Sequence, residues 1–485
     1  MNKMNRRSFL KASMTGAAAM LLSPPQSSPA ASGGRRPNVL MIVVDDMNDY
    51  GFYGTLPGVK MPYLRAFQQT AVTFERACCA APACIPSRAA VFSGLYPHNT
   101  GCYLNGSDPW RKAPFTEIEA MPECFKRSGY TTFGRGKILH SEPEPERRKA
   151  MWDNDAWQGG FGPFPSEKNQ LKSTSGPESR SFGNAFWGCE GFEDDSVFPD
   201  VKNAEAAIQF LGQNHDNPFF MVYGLWRPHT PFTAPKRFFD MYDRQDIKVP
   251  VPQWRQDDLE DIPPLGRELA KVWGERYDLC GQSDLESWRK FVHGYCACTT
   301  FADWSAGRVI EALDRSRYAR DTIVVFWSDS GYHCGEKNHW EKTTLWEKSV
   351  QTPLAIRLPG GRNAGTRCRR PVNTLDLFPT LADYCGLQLP ARDLDGRSLK
   401  PLLEDPQAAW DRPAITTYGQ GYFSVRDERY RYLRYPDGTE ELYDHQADAG
   451  EHRNLAADSA LTSVKQRLAR WIPEKWVQSL GGRLG

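Results

Sequence analysis

The sequence has few cysteines, almost no net charge and no long apolar segment. Its 485 residues include 12 cysteines, too sparse for a disulfide-built scaffold, and no C-x-x-C pair is matched by a second pair as in structural zinc sites. The 60 basic and 59 acidic side chains leave a net charge of +1, which argues against a protein that wraps nucleic acid or another polyanion. With 40% hydrophobic and 25% charged residues, the chain is predicted to fold into one large domain and a smaller one, and disorder is excluded as its main state.

Residues 1–32 are predicted to be an export signal and linker. The pair Arg6-Arg7 precedes the apolar stretch 12–22, which is too short and too polar to span a membrane. Twin-arginine (Tat) transport exports folded proteins from bacteria, so the sequence predicts a periplasmic or secreted protein that has the Tat machinery as a partner and no membrane span. The alternative is a chance arginine pair before an amphipathic helix.

From residue 37 onward, short apolar runs alternate with helical stretches, which is typical of a parallel sheet flanked by helices. Runs rich in β-branched residues predict buried strands at 38–44, 219–224 and 322–327, with a weaker one at 130–133. A helix is predicted at 201–211 with Asp200 as its N-cap. These elements together predict an α/β sandwich.

Two other regions differ in composition and periodicity. Segment 141–195 is rich in Gly, Pro, Trp and Phe with little periodicity, and is predicted to form long surface loops that rim a site. After residue 375, a helix is predicted at 376–385, and aromatic strands within 422–443 predict a small antiparallel sheet with turns at Asp427-Glu428 and Asp437-Gly438. The expected organisation is a large α/β domain at 35–375 and a C-terminal subdomain at 376–485.

Chemically useful side chains follow four of the predicted strands. Because ligands of parallel sheets bind beyond the carboxyl ends of the strands, one site is expected to contain Asp45, Asp46, Lys137, His140, His229, Asp329 and Lys342. Clustered carboxylates repel one another unless a cation lies among them, and oxygen ligands favour Ca²⁺ or Mg²⁺ over zinc. Histidines and lysines beside them suit an anionic substrate and proton transfer to a leaving group. Taken singly, each residue could instead cap a helix, pack in the core or face solvent.

One cysteine has a distinctive context, the motif Cys-Ile-Pro-Ser-Arg at 84–88. Pro86 fits the first turn of a helix, which would place Cys84 at a helix N-terminus, where the dipole attracts negative charge. These residues alone allow a nucleophilic thiolate with a lowered pKa. A thiolate is, however, a poor chemical match for a hard cation bound by carboxylates.

Cys-x-Pro-Ser-Arg, with Ser-Gly nine and ten residues after the cysteine and a preceding strand that ends in Asp-Asp, resembles the type I, formylglycine-dependent sulfatases. Within that family the similarity is greatest to the iduronate-2-sulfatase-like branch. The resemblance continues through GKILH, RPHTPF, SDSGYHCGEKNHWEKTTLWE and ELYDHQAD. It implies an alkaline-phosphatase-like fold with a large mixed, mainly parallel sheet flanked by helices and a small C-terminal antiparallel sheet. The implied activity is hydrolysis of sulfate esters of a sulfated saccharide.

The resemblance also implies a role for each site residue. A formylglycine-generating enzyme would oxidise Cys84 to formylglycine before folding. Ca²⁺ would be held by Asp45, Asp46, Asp329, Ser330 and the modified Cys84. The catalytic roles would be to hold the formylglycine (Arg88), contact sulfate oxygens (Lys137 and Lys342), assist the formylglycine hydroxyl (His140) and protonate the leaving alcohol (His229). Ser330 stands where the family has Asn or His, so it would ligate through its hydroxyl or through a water molecule.

Two other functions remain open at this point. A phosphonate or phosphate monoester hydrolase of the same superfamily would share the sheet and the carboxylates, although the two lysines with GKILH and RPHTPF favour a sulfatase. A non-catalytic carbohydrate-binding relic would count Ser330 as its first lost residue, but has no use for the cysteine motif. Without residues 1–32 the chain is slightly acidic, so its overall charge does not attract an anionic substrate. The attraction must be local and come from Arg88, Lys137 and Lys342, with Arg227 as a further candidate.

Overall fold

The computed structural model describes residues 36–154, 159–170, 187–248, 255, 257–271 and 285–482. The predicted export signal and linker at 1–32 therefore lie outside the described residues. The strands of the described part are β1 Asn38–Asp45, β2 Val72–Cys78, β3 Thr131–Gly136, β4 Cys189–Phe192, β5 Phe219–Pro228, β6 Phe232–Pro235, β7 Thr322–Ser328, β8 His333–Cys334, β9 Trp340–Glu341, β10 Leu354–Arg357, β11 Arg367–Asn373, β12 Ala414–Thr417, β13 Phe423–Arg426, β14 Tyr430–Arg434 and β15 Glu440–Asp444.

The helices of the same residues vary from single turns to one long helix. Their bounds are Asp49–Phe52, Pro62–Gln68, Cys84–Ser93, Pro97–Thr100, Met121–Arg127, Pro145–Met151, Pro199–Leu211, Lys236–Phe239, Pro264–Lys271, Leu285–Arg315, Glu347–Val350, Leu377–Cys385, Lys400–Glu404 and Thr462–Ala469. Within the described part of the chain, no helix combines the length and the apolar character that crossing a bilayer requires.

The central sheet has seven strands in the order β11-β2-β10-β7-β1-β5-β3. The pairs β1·β5, β1·β7, β3·β5 and β11·β2 are parallel, and β10 runs antiparallel to both of its neighbours. The carboxyl ends of β1, β3, β5 and β7 therefore meet at one edge, which confirms the predicted mixed, mainly parallel sheet. This edge is where the strand-end residues gather.

Helices cover both faces of this sheet, so β1 is buried on both sides. Along β1, Leu40 and Ile42 enter a core built with Pro199–Leu211 and Leu285–Arg315, while Val39 and Met41 enter the opposite core. Successive side chains of a strand point to opposite faces of the sheet, so a strand that is covered on both faces must be apolar at every position. The continuously apolar sequence of β1 is explained by this placement.

The described structure corrects two local predictions. Asp200 lies inside helix Pro199–Leu211, whose N-cap is Phe198. Its carboxylate instead accepts hydrogen bonds from the backbone N–H groups of Trp226 and Arg227, at 2.8 and 3.1 Å. Segment 141–195 is not loop throughout, because its described residues include helix Pro145–Met151 and strand β4.

The last part of the described chain forms a four-stranded antiparallel sheet in the order β12-β13-β14-β15. The turns between β13, β14 and β15 fall at Asp427-Glu428 and Asp437-Gly438, as predicted, whereas β12 was not predicted. Helix Thr462–Ala469 packs on this sheet through Leu468. The domain boundary between residues 375 and 376 stays a prediction.

Candidate active site

Two neighbouring strands bring three carboxylates to the same edge of the sheet. Asp45 ends β1, Asp46 follows it, and Asp329 follows β7, whose register with β1 pairs Val44 with Ser328. Asp46 adopts a left-handed conformation with φ of 64°, and its backbone N–H donates to Asp329 Oδ1 at 3.1 Å. All three carboxylates are buried.

Cys84 is the first residue of helix Cys84–Ser93, as predicted. The N-cap, Ala83, has no side-chain acceptor, and Asn105 Oδ1 accepts from the backbone N–H of Ile85 at 3.0 Å. Lys342 Nζ donates to Cys84 Sγ at 2.8 Å. Burial, with a contribution from Asp45, raises the pKa of the Cys84 thiol to about 12 despite the nearby lysines. Burial thus opposes the alternative of a thiolate with a lowered pKa.

Three positive side chains pair with the three carboxylates. Arg88 Nε donates to Asp329 Oδ2 at 2.6 Å, and Arg88 Nη2 lies 3.5 Å from Asp45 Oδ1. Lys137, which follows β3, donates to Asp45, and Lys342, which follows β9, donates to Asp46. The site thus holds equal numbers of formal positive and negative charges.

The carboxylates differ in their pKa values. Burial alone would raise the pKa of Asp45, but Lys137, His229, Lys342 and Arg88 together hold it well below its ordinary value. For Asp46 burial dominates, and Asp45 and Asp329 add to it, so its pKa rises to about 8 even though Lys342 opposes the change. A further positive charge at this position would favour the ionised form of Asp46.

Two histidines lie at the more exposed side of the site. His229 Nε2 is 3.6 Å from Asp46 Oδ2, and its Nδ1 lies 2.6 Å from Thr230 O. An N–H at Nδ1 donates to that carbonyl, which leaves Nε2 as the atom that faces the site. His140 has a left-handed backbone with φ of 66°, and its Nδ1 is buried with no hydrogen-bond partner in the described structure. Burial and Lys342 lower the pKa of His229, and burial and Lys137 lower that of His140, in both cases well below the usual value.

The structure thus brings together every site residue predicted from the sequence. Ser330 is buried beside Asp329, and its Oγ donates to Asp46 Oδ1 at 3.0 Å. Whether Ser330 binds a metal stays a prediction. Arg227 donates from Nε and Nη2 to Thr233 O, Thr233 Oγ1 and Phe161 O, and so fixes a loop. Its Nη1 has no hydrogen-bond partner in the described structure, and a contribution of Arg227 to substrate attraction stays a prediction.

Sequence reasoning missed two aromatic residues of the site. Lys137 Nζ lies 4.8 Å from the centre of the Phe161 ring and 5.1 Å from that of Trp226. Phe161 comes from a segment without periodicity, so its sequence gives no signal. Trp226 belongs to β5, close to the predicted strand end, and its position near His229 was the only available signal.

The three carboxylates fit a hard cation. Oxygens of Asp45, Asp46 and Asp329 lie within 4.8 Å of one another. Asp45 Oδ1 and Asp46 Oδ2 are buried and accept no hydrogen bond in the described structure, although buried polar atoms normally have a donor. An oxygen-only set of this kind suits Ca²⁺ or Mg²⁺.

The mainly parallel sheet flanked by helices, with the small antiparallel sheet, is the alkaline-phosphatase-like fold that the sequence predicted. A family model described as "Sulfatase" matches residues 37–387, and one described as "N-sulphoglucosamine sulphohydrolase, C-terminal" matches residues 335–478. The chain belongs to the sulfatase family and is a sulfuric ester hydrolase.

Individual relatives agree with this assignment. The chain is 35% identical to a "Sulfatase" of Formosa agariphila, over 90% of this chain and 86% of the relative. It is 28% identical to "Iduronate 2-sulfatase" of Homo sapiens, over 73% of this chain and 70% of the relative. The solved structure of a phosphonate monoester hydrolase of Agrobacterium radiobacter has a TM-score of 0.72 with 23% identity and covers 90% of this chain and 94% of its own. The last similarity concerns the fold alone.

Proposed function

We propose that this protein removes sulfate from a sulfated sugar, a 2-sulfated uronate or a related unit, with a formylglycine made from Cys84 and a bound Ca²⁺. The observation that carries the proposal is the convergence of Cys84, Arg88, both lysines and both histidines on three buried carboxylates. The similarity to iduronate 2-sulfatase supports the choice of sugar. The overall reaction consumes water and releases an alcohol and sulfate.

The residues present fit both groups. The Cys84 side chain starts a helix and points at Lys342 and the carboxylates, and once it is formylglycine its hydrated aldehyde supplies the nucleophilic hydroxyl. Asp45, Asp46, Asp329, the modified Cys84 and Ser330 would hold Ca²⁺, which supplies positive charge for the reacting oxygens.

A cation would also change what the two lysines do. In the structure, Lys137 and Lys342 compensate Asp45 and Asp46. When a divalent cation neutralises those carboxylates, the ammonium groups are available to bind the oxygens of a sulfate group. This exchange of partners is the physical reason to expect a metal and an anionic substrate together.

The remaining residues of the site handle protons and orientation. Arg88, fixed by Asp329, orients the nucleophile. His140 Nδ1, which has no hydrogen-bond partner in the described structure, accepts a proton from the nucleophile. His229 donates a proton from Nε2 to the leaving alcohol, and the negative charge of a bound sulfate ester favours the protonated ring that this step needs.

Export and maturation complete the proposal. The twin-arginine segment in residues 1–32 would carry the folded enzyme to the periplasm or beyond. Oxidation of Cys84 by a formylglycine-generating enzyme would then have to occur in the cytoplasm, before folding buries the thiol.

Two measurements test the proposal. Mass spectrometry of the peptide that contains Cys84, from protein made in its native host, should show loss of sulfur and gain of an aldehyde. The same protein with calcium should turn over a 2-sulfated uronate and 4-nitrophenyl sulfate faster than 4-nitrophenyl phosphate. An unmodified thiol would contradict the formylglycine mechanism. A clear preference for the phosphate ester would instead support a phosphate or phosphonate monoester hydrolase.

A further inference from the structure

Phe161 lies among the proposed catalytic side chains although nothing in its sequence context marks it. The centre of its ring is 4.6 Å from that of His229 and 4.3 Å from that of Trp226. Lys137 Nζ is 4.8 Å from the ring centre, and the ring of His140 is 6.4 Å away. A single aromatic side chain therefore contacts both Lys137, a proposed sulfate-binding residue, and His229, the proposed proton donor.

The position of Phe161 is fixed through its backbone. Arg227, which is fully buried, donates from Nη2 to Phe161 O at 2.6 Å and from Nε to Thr233 O at 2.7 Å. Thr233 Oγ1 in turn donates to Pro163 O at 2.8 Å. Charged donors to buried carbonyls are among the stronger hydrogen bonds of proteins, so the loop that carries Phe161 is held firmly beside the site.

Exposure defines where the site opens among the described residues. Asp45, Arg88 and Lys137 are fully buried, and Cys84 and Lys342 are 1% and 3% exposed. His229 is 8% exposed, while His140 and Phe161 are half-buried. A sulfate group bound by Lys137 and Lys342 would therefore have its alcohol portion on the more exposed side, where His229 and Phe161 lie.

We infer that Phe161 binds the leaving group by packing its ring against the carbon skeleton of the alcohol that leaves from sulfate. The inference deepens the proposed function and depends on it for the direction in which the substrate lies. An oxygen within hydrogen-bond reach of His229 Nε2 has its attached carbons close to a ring that is itself 4.6 Å from the histidine. Aromatic faces bind the C–H faces of sugars and other rings.

A purely structural role for Phe161 makes a different prediction. If its ring only held Lys137 and His229 in place, its removal would weaken the binding of inorganic sulfate as much as the binding of a complete ester. If its ring contacts the leaving group, only ligands that have a leaving group should be affected. The comparison of these two ligands separates the roles.

The experiment uses the full-length, formylglycine-containing enzyme with Phe161→Ala and with Phe161→Tyr as the matched control that keeps the ring. For Phe161→Ala we expect KM for 4-nitrophenyl sulfate and for a 2-sulfated uronate to rise about tenfold. The inhibition constant of inorganic sulfate should stay within about twofold, and kcat within about threefold. Phe161→Tyr should restore both KM values to near the wild-type values.

Equal increases in KM and in the inhibition constant of sulfate would overturn the inference, as would unchanged KM values. If Phe161→Ala does not fold, as judged by circular dichroism, Phe161→Leu replaces it in the same comparison. Failure of the proposed function is a separate result, because the wild type would then turn over no sulfate ester. In that case, KM for 4-nitrophenyl phosphate against the inhibition constant of inorganic phosphate tests the Phe161 contact in the same way.

Discussion

Two buried clusters of charged side chains in this protein contain similar groups but are compensated in different ways. The active-site cluster consists of Asp45, Asp46, Asp329, Arg88, Lys137 and Lys342. The junction cluster consists of Glu347, Glu451, His445 and Arg431, between the short helix Glu347–Val350 and the C-terminal sheet. Each cluster has three ligand atoms within 4.8 Å of one another, a spacing that could hold a metal ion.

The two clusters differ in the positive groups that pair with their carboxylates. Arg431 is fully buried and pairs with both glutamates of the junction cluster. Glu451 Oε1 also accepts from His445 Nε2 at 2.9 Å, and Glu451 Oε2 accepts from the backbone N–H of Glu347 at 2.8 Å. Burial would raise the pKa of both glutamates, yet Arg431 and His445 hold these pKa values below the ordinary value.

Access to solvent does not account for the difference. A cavity of about 290 Å³ reaches Glu347, His445 and Glu451 of the junction cluster. What differs is that Arg431 pairs with both glutamates of the junction cluster. In the active-site cluster Arg88 pairs with Asp329, but Asp45 and Asp46 are paired with flexible lysines. Asp45 Oδ1 and Asp46 Oδ2 also accept no hydrogen bond in the described structure. The proposed metal site is therefore the cluster in which lysines, rather than an arginine alone, compensate the acidic side chains.

The largest expected effect is that of Cys84→Ala, which tests whether the active-site cluster supports activity and not stability. We expect turnover of 4-nitrophenyl sulfate to fall by at least about 10³-fold, because the nucleophile is lost. In the absence of calcium, the melting temperature should change by less than about 2 °C, since a small side chain replaces another. Turnover near that of the wild type would contradict the role of Cys84.

Arg431→Met tests the opposite expectation for the junction cluster. Removal of the guanidinium leaves two buried glutamates without their main partner, and we expect the free energy of unfolding to fall by about 3–5 kcal/mol. The kcat of the folded enzyme should stay within about threefold of the wild type. Urea denaturation measures the first quantity, and Arg431→Lys, which keeps the charge, should lose less. Wild-type stability of Arg431→Met would show that the cluster does not hold the junction.

The sequence predicted the three acids of the active-site cluster because they follow continuously apolar strands, whereas Arg88 was predicted from the cysteine motif. Strands β1, β5 and β7 are buried on both sides, so their patterns are unambiguous, and parallel strands must deliver their next residues to one edge. Strands β10 and β11 were missed because β10 is short and β11 carries three arginines at the edge of the sheet.

The junction cluster and Phe161 could not be predicted. Glu347, Arg431 and Glu451 come from separate segments, and no periodicity or motif links an isolated glutamate to an arginine 84 positions away. The Asp200 prediction failed for a related reason, because the partners of its carboxylate lie on β5 and not in its own helix. Side chains whose partners are distant in sequence need the fold before they can be placed.

Removal of bound metal should lower the stability of the protein through the active-site cluster only. With Ca²⁺ at about 100 times its dissociation constant, we expect the ion to stabilise the wild type by about 3 kcal/mol, a gain that a chelator abolishes. Asp46→Asn, which loses a proposed ligand, should respond much less to calcium and chelator in a thermal melt. Glu451→Gln should respond as the wild type does. A calcium response that depends on Glu451 would reverse the assignment of the two clusters.

The smallest expected effect concerns the segment that joins the two clusters, residues 333–347, which carries Lys342. Near its end, Trp346 Nε1 donates to Glu441 Oε2 at 2.8 Å, and Glu441 is a fully buried residue of strand β15 in the C-terminal sheet. Trp346→Phe should therefore lower the free energy of unfolding by about 1–3 kcal/mol more than Trp340→Phe does.

Trp340 is a matched control for this comparison. It lies in the same segment and is 1% exposed, as Trp346 is, but its indole N–H has no hydrogen-bond partner in the described structure. Both substitutions remove the same atoms from a buried position and keep an aromatic ring, so the difference between them mainly reports the bond to Glu441. Equal losses of stability would mean that this bond does not anchor the segment. A larger loss for Trp346→Phe, with KM unchanged, would mean that the C-terminal sheet stabilises the Lys342 segment without taking part in substrate binding.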